Sequence, residues 1–154
     1  MTNTRFGSAT VELPTDTQIL ITRRFDAPAP LVFAALTTPE HVRRWWGWSS
    51  SEMIVCDIDL RVGGRWRYVV RDEHGSEFGW HGEYTELDAP CRMVSSEVFE
   101  GFPDAASLNT TTLTEADGVT TLTTLAQHTC REHRDGHLEA GMEAGMQHTF
   151  DRLQ

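Results

Sequence analysis

The chain has 154 residues, of which 39% are hydrophobic and 23% charged, and its formal net charge is −10. This is the length of one ordinary domain, and it can bury a sizeable core without staples. The composition excludes a disordered chain, and the acidity argues against nucleic acid or an anionic membrane as a partner, since both need a basic footprint. A local basic patch remains, because Arg61, Arg65, Arg67 and Arg71 are close in sequence. Cys56, Cys91 and Cys130 are odd in number and widely spaced, with no CxxC motif. That pattern predicts no disulfide framework and a reducing, cytoplasmic setting. No apolar run is long enough for a signal peptide or a membrane span.

Residues 1–16 are polar and without period, and they read as a lead-in to a single domain over 17–154. "TQILITRRF" (17–25) is β-branched and reads as a strand. Pro28 or Pro30 then opens a short helix that continues through "LVFAALT". Thr38, Pro39 and Glu40 signal a second helix start, which closes on the cluster Trp45, Trp46 and Trp48. "SEMIVCDIDL" (51–60) is a strand and "RVGG" a turn. "RWRYVVRD" (65–72) places Trp66, Tyr68 and Val70 on one face and Arg65, Arg67 and Arg71 on the other, which is the period of a strand with one wet face. "EFGWHGEYTEL" (77–87) alternates in the same way, with Phe78, Trp80, Gly82 and Tyr84 on one side.

"CRMVSSEVFE" (91–100) is a further strand, and two threonine-rich strands meet at "ADG", a hairpin signal. The C-terminal segment turns helical, with Leu138, Met142, Gly145, Met146, Thr149 and Leu153 on one stripe. Gly141 and Gly145 cost ~1 kcal/mol each in a helix interior; their spacing suits a close approach to a sheet. The predicted class is α+β: one strand, two short helices, about six antiparallel strands and a long C-terminal helix. The curved sheet must cover an apolar face, and that helix is the element able to do so.

The blocks "FDAPAPLVFAALTTPEHVRRWWG", "CDIDLRVGGRWRYVVRD", "HGEYTELDAPCRMV", "LTEADGVTTLTTL" and "GMEAGMQHTFDRL" resemble, in order, those of the START-like helix-grip (SRPBCC) superfamily. Within it they are most similar to the bacterial branch named after the activator of the heat-shock-protein-90 ATPase. The resemblance runs from about Thr17 onward. It implies a curved antiparallel sheet wrapped around the C-terminal helix, with a cavity between them. Members of the superfamily bind lipids, hormones, polyketides and flavonoids, and only some catalyse a reaction. Thr110, Thr111 and Thr112 stand where the branch more often has aliphatic residues, which implies a more polar cavity wall.

Several groups are candidates for the site. Trp45 and Trp46 would sit near the cavity entrance that the resemblance implies, and aromatic side chains are common in both cores and pocket walls. Trp66, Tyr68, Phe78, Trp80 and Tyr84 fall on alternating positions of neighbouring strands and should share a face. Opposite them Met142 and Met146 would offer an adaptable, polarisable surface to a planar ligand. Thr111 or Thr124 would supply a hydrogen bond. Asp57, Asp59, His81, Glu83, Tyr84 and Glu97 are acid–base groups on strands, and alternation sends His81 and Glu83 to the outer face, opposite Trp80 and Tyr84.

His128, Cys130, His133 and His137 are close in sequence, but Gly136 weakens the case for a two-histidine zinc grip. Gly63 and Gly64 stand between strands rather than before a helix, so they read as a turn and not a phosphate cradle. No catalytic set, metal site or cofactor is assigned. The expected function is binding of a small hydrophobic or aromatic molecule, of lipid, polyketide or flavonoid type. The alternatives are a polyketide cyclase or aromatase and a protein-binding or chaperone-regulator module. A homodimer is left open.

Overall fold

The computed structural model of the protein describes residues 10–45, 51–101, 103 and 105–139. In chain order these form β1 (Thr10–Glu12), β2 (Gln18–Phe25), α1 (Ala29–Thr37), α2 (Pro39–Trp45), β3 (Glu52–Ile58), β4 (Arg65–Arg71), β5 (Glu77–Asp88), β6 (Arg92–Phe99), β7 (Ser107–Ala116), β8 (Val119–His128) and α3 (Arg131–Glu139). The eight strands make one antiparallel sheet in the order β1-β2-β8-β7-β6-β5-β4-β3. It is curved, and bulges interrupt the pairing between Met53 and Val55 and between Tyr84 and Glu86; a bulge bends its strand and increases the local twist.

The helix and strand signals are met with small shifts. Pro28 is the N-cap of α1 and Pro30 lies in its first turn. Ala29, Val32, Phe33 and Thr37 form the buried stripe of α1, the spacing expected of a helix with one face in the core. Thr38 both ends α1, its N–H donating to Ala34 O, and starts α2, its carbonyl accepting from His41 and Val42. The "ADG" hairpin is as tight as its sequence implies. Asp117 and Gly118 are its two loop residues, both at positive φ (55° and 77°), as a primed two-residue turn requires.

One strand was not legible. Thr10–Glu12, inside the segment read as a lead-in, pairs with Leu20–Thr22 of β2 and forms the sheet edge. Of the C-terminal segment expected to form one long helix, the described residues show the short helix α3, Arg131–Glu139. The stripe residues Met142, Gly145, Met146, Thr149 and Leu153, with Gly141, lie outside the described residues, as do Trp46 and Trp48.

The core has two parts. One packs α1 on β2, β7 and β8, through Ile19, Ile21, Phe25, Val32, Leu113 and Leu122. The other gathers Val42 of α2 with Cys56, Trp66, Tyr68 and Tyr84 of β3, β4 and β5. Leu36, Leu87 and Met93 touch both. Both parts lie on the same face of the sheet, the inner one.

Candidate functional site

Alternation and register together fix what the inner face carries. On β4 and β5 the cross-strand pairs are Trp66 with Gly82, Tyr68 with Trp80 and Val70 with Phe78. Trp66 and Tyr68 are stacked at a 46° tilt with centroids 4.7 Å apart. Trp80 meets Phe99 of β6 at 5.4 Å. The five aromatic residues expected to share a face therefore do so. Trp66, Tyr68 and Tyr84 are buried, and Trp80 is half-buried against them. The turn at Gly63 and Gly64 helps to hold this wall. Gly63 N–H donates to Tyr84 O, and Tyr84 N–H donates to Gly64 O. These glycines are a turn clasped onto β5, as their position between strands implied.

The electrostatics of the wall follow from burial. Burial pushes the Tyr84 phenol up to about 12, with a smaller contribution from Cys56. Tyr68 is raised well above its ordinary value, again mainly by burial, then by Tyr84, Cys56 and Glu97. The indole Nε1–H of Trp66 is buried and has no hydrogen-bond partner among the described residues.

The inner face becomes polar toward β6, β7 and β8. Tyr84 registers with Ser95, and Ser95 with Asn109. Glu97, two residues beyond Ser95 on the same face, registers with Ser107, which in turn faces His128. Thr111 and Thr124, both expected here, share a hydrogen bond of 3.2 Å across β7 and β8. Thr110 and Thr112 point to the other side by alternation. Asn109 Nδ2 donates to Glu97 Oε1 at 3.1 Å, and Ser107 Oγ donates to Asn109 Oδ1 at 3.4 Å. Burial raises the Glu97 carboxyl, and the Asn109 amide partly opposes that. Of the strand acid–base groups, Glu97 is the one on the inner face together with Tyr84. Asn109 and Ser107 were not anticipated, and His128, weighed only as a metal ligand, is buried on this face. Their parity with Thr111 and Thr124 is the signal that would have found them.

His81 and Glu83 are exposed, as alternation required. On that outer face Arg67 grips Glu100 with two nitrogens, each at 2.9 Å. His81 Nδ1 meets the same carboxylate at 2.9 Å. Hydrogen bonding from Arg67, and less from His81, holds Glu100 down at about 2. These groups, with Asp57, Arg65, Trp66 and Gly82, line a depression of about 320 Å³. Its charged members form a solvated ion-pair network on the outer face. Trp45 ends α2, with its side chain outside the described set.

The three cysteines are free. Among the described residues no three His, Cys, Asp or Glu side chains are grouped to hold a metal. No helix among them is long and apolar enough to cross a membrane.

A curved antiparallel sheet of eight strands, with few helices and an inner face part aromatic and part polar, is an α+β fold consistent with the helix-grip class. The chain belongs to the family described as Activator of Hsp90 ATPase homolog 1-like protein, which matches residues 26–154. Solved structures agree. A protein from Rhodobacter sphaeroides superposes with a TM-score of 0.88 at 25% identity, covering 95% of each chain. One from Mycobacterium smegmatis gives 0.83 at 29% identity over 94% of each. CalU16 from Micromonospora echinospora gives 0.61 at 27% identity, over 88% of this chain and 71% of its own. No curated protein matches the chain.

Proposed function

We propose that the protein, as a single domain over residues 17–154, binds a small hydrophobic or aromatic molecule on the inner face of its sheet. Binding would rest on burial and shape rather than covalent chemistry. The observation that carries this reading is Trp66. Buried polar groups in native proteins are almost always paired, yet its indole N–H has no partner among the described residues and sits within an aromatic wall. Large apolar pockets with a few convergent polar groups are the usual form of small-molecule sites. Family membership is compatible with this and leaves the ligand unnamed.

Native mass spectrometry of gently purified protein, joined to equilibrium dialysis with naphthalene and naphthol, tests the reading. A co-purified adduct lost on denaturation, or saturable binding of either probe, supports it. A bare spectrum with no uptake of either probe defeats it.

A second reading has one observation in its favour. A cyclase or aromatase needs a perturbed carboxyl inside, and Glu97 is raised by burial on this face. Turnover of a polyketide-like substrate, lost on Glu97→Gln, would establish it.

A further inference from the structure

We infer that Glu97 is the acceptor that fixes the polar end of the bound molecule. The ligand is accordingly a planar apolar body ending in a hydroxyl or phenol, not in a carboxylate. This rests on the binding reading above and specifies the ligand class of that same face.

The hydrogen bonds around Glu97 have a direction. Ser107 Oγ donates to Asn109, and the Asn109 amide donates to Glu97 Oε1. The chain of donors therefore ends on the carboxylate. An ionised carboxylate offers about four acceptor sites, and among the described residues one donor, Asn109, uses them. Glu97 is half-buried, and its second oxygen, Oε2, accepts from no described residue. A partly buried carboxylate of this kind is costly to leave unsatisfied. A ligand hydroxyl would satisfy it.

Glu97 is in no ion pair among the described residues. Arg134, buried at the start of α3, is held by Asp135 Oδ1 and by the carbonyl of Thr15. Arg23 is buried on the inner face but registers with Leu122, six positions along β8 from the His128 that faces Ser107. At ~3.3 Å per residue that is about 20 Å from the Glu97 row. A ligand carboxylate placed beside Glu97 would meet like charge, whereas a hydroxyl would find an acceptor. Register sets Glu97 between Ser95, which faces Tyr84, and Phe99, which faces Trp80. One small molecule can therefore reach both the rings and the carboxylate.

The test is equilibrium dialysis of wild-type protein and Glu97→Gln with naphthalene, naphthol and naphthoate, in neutral to mildly alkaline buffer. Glutamine has the same shape and still accepts from Asn109. Wild type should hold naphthol at least about tenfold tighter than naphthoate, the factor expected of a hydrogen bond to a charged group. In the variant naphthol should weaken and naphthoate strengthen, so that the ratio falls toward one. Equal affinities in wild type, or an unchanged ratio in Glu97→Gln, would overturn the inference while leaving the binding reading intact. Failure of all three probes together with a bare native spectrum would remove both. If Glu97→Gln does not fold, the wild-type ratio decides alone.

Discussion

Trp66 stands against Gly82 across the β4–β5 pair, so closely that a methyl group at position 82 would come within 2.6 Å of Trp66 Nε1. The same methyl would collide with the backbone oxygen of Ser96. Backbone cannot yield as the end of a flexible side chain can. Gly82→Ala should therefore destabilise the fold by about 1–3 kcal/mol, the usual cost of overpacking. It should also displace the Trp66 ring from its seat. A urea midpoint equal to wild type would show that the ring and strand can move apart freely.

The chain has two tyrosines, and both are on the inner wall. Tyr84 is pushed to about 12 from an ordinary 10.0, and Tyr68 is raised well above it. In the unfolded chain both phenols ionise near that ordinary value. The folded state is thus fully favoured below pH 10 and loses stability as the pH rises toward 12. Tyrosinate absorbance should stay flat through pH 10 and appear together with alkaline unfolding. A phenol titrating near 10 in still-folded protein would place that ring in solvent.

Helix α1 lacks a cap of its own. Pro28, at the N-cap position, offers no side-chain acceptor. Instead Glu115 Oε1, from the far end of β7, accepts from Ala29 N–H at 2.7 Å. Glu115→Ala should cost about 1 kcal/mol, as the loss of an N-cap does, and Glu115→Gln should retain part of it. Chemical denaturation of the two variants checks the order. Equal loss in both would mean that the carboxylate acts through charge alone.

The aromatic wall was legible because β4 alternates from Arg65 to Tyr68, with Val69 its one buried residue out of phase. Arg65, Arg67 and Arg71 are exposed while Trp66, Tyr68 and Val70 are buried, and a strand with one wet face writes its register into its sequence. Strand β6 does not. Val94 and Glu97 have opposite parity and yet both are withheld from solvent. The pairing of Ser95 with Tyr84 and of Met93 with Thr111 assigns Glu97 to the inner face. Strand β1 has three residues and little apolar content, so nothing local marks it. Its pairing with Leu20–Thr22 defines it. The cap from Glu115 joins positions distant in sequence, and no periodicity announces such a contact.

The register of β2 on β8 sets Ile19 opposite Ala126 and Phe25 opposite Thr120. During synthesis β2 leaves the ribosome well before β8, with the whole of β3 to β7 made between them. Strands β3 to β7 can pair neighbour with neighbour as they emerge, because each adjoins the next in the sheet. The layer formed by α1 on β2, β7 and β8 cannot close until β8 has emerged. Until then the nascent chain carries Val32 and Phe33 uncovered, and chaperones or degradation enzymes that watch for apolar segments would find this protein at α1 first.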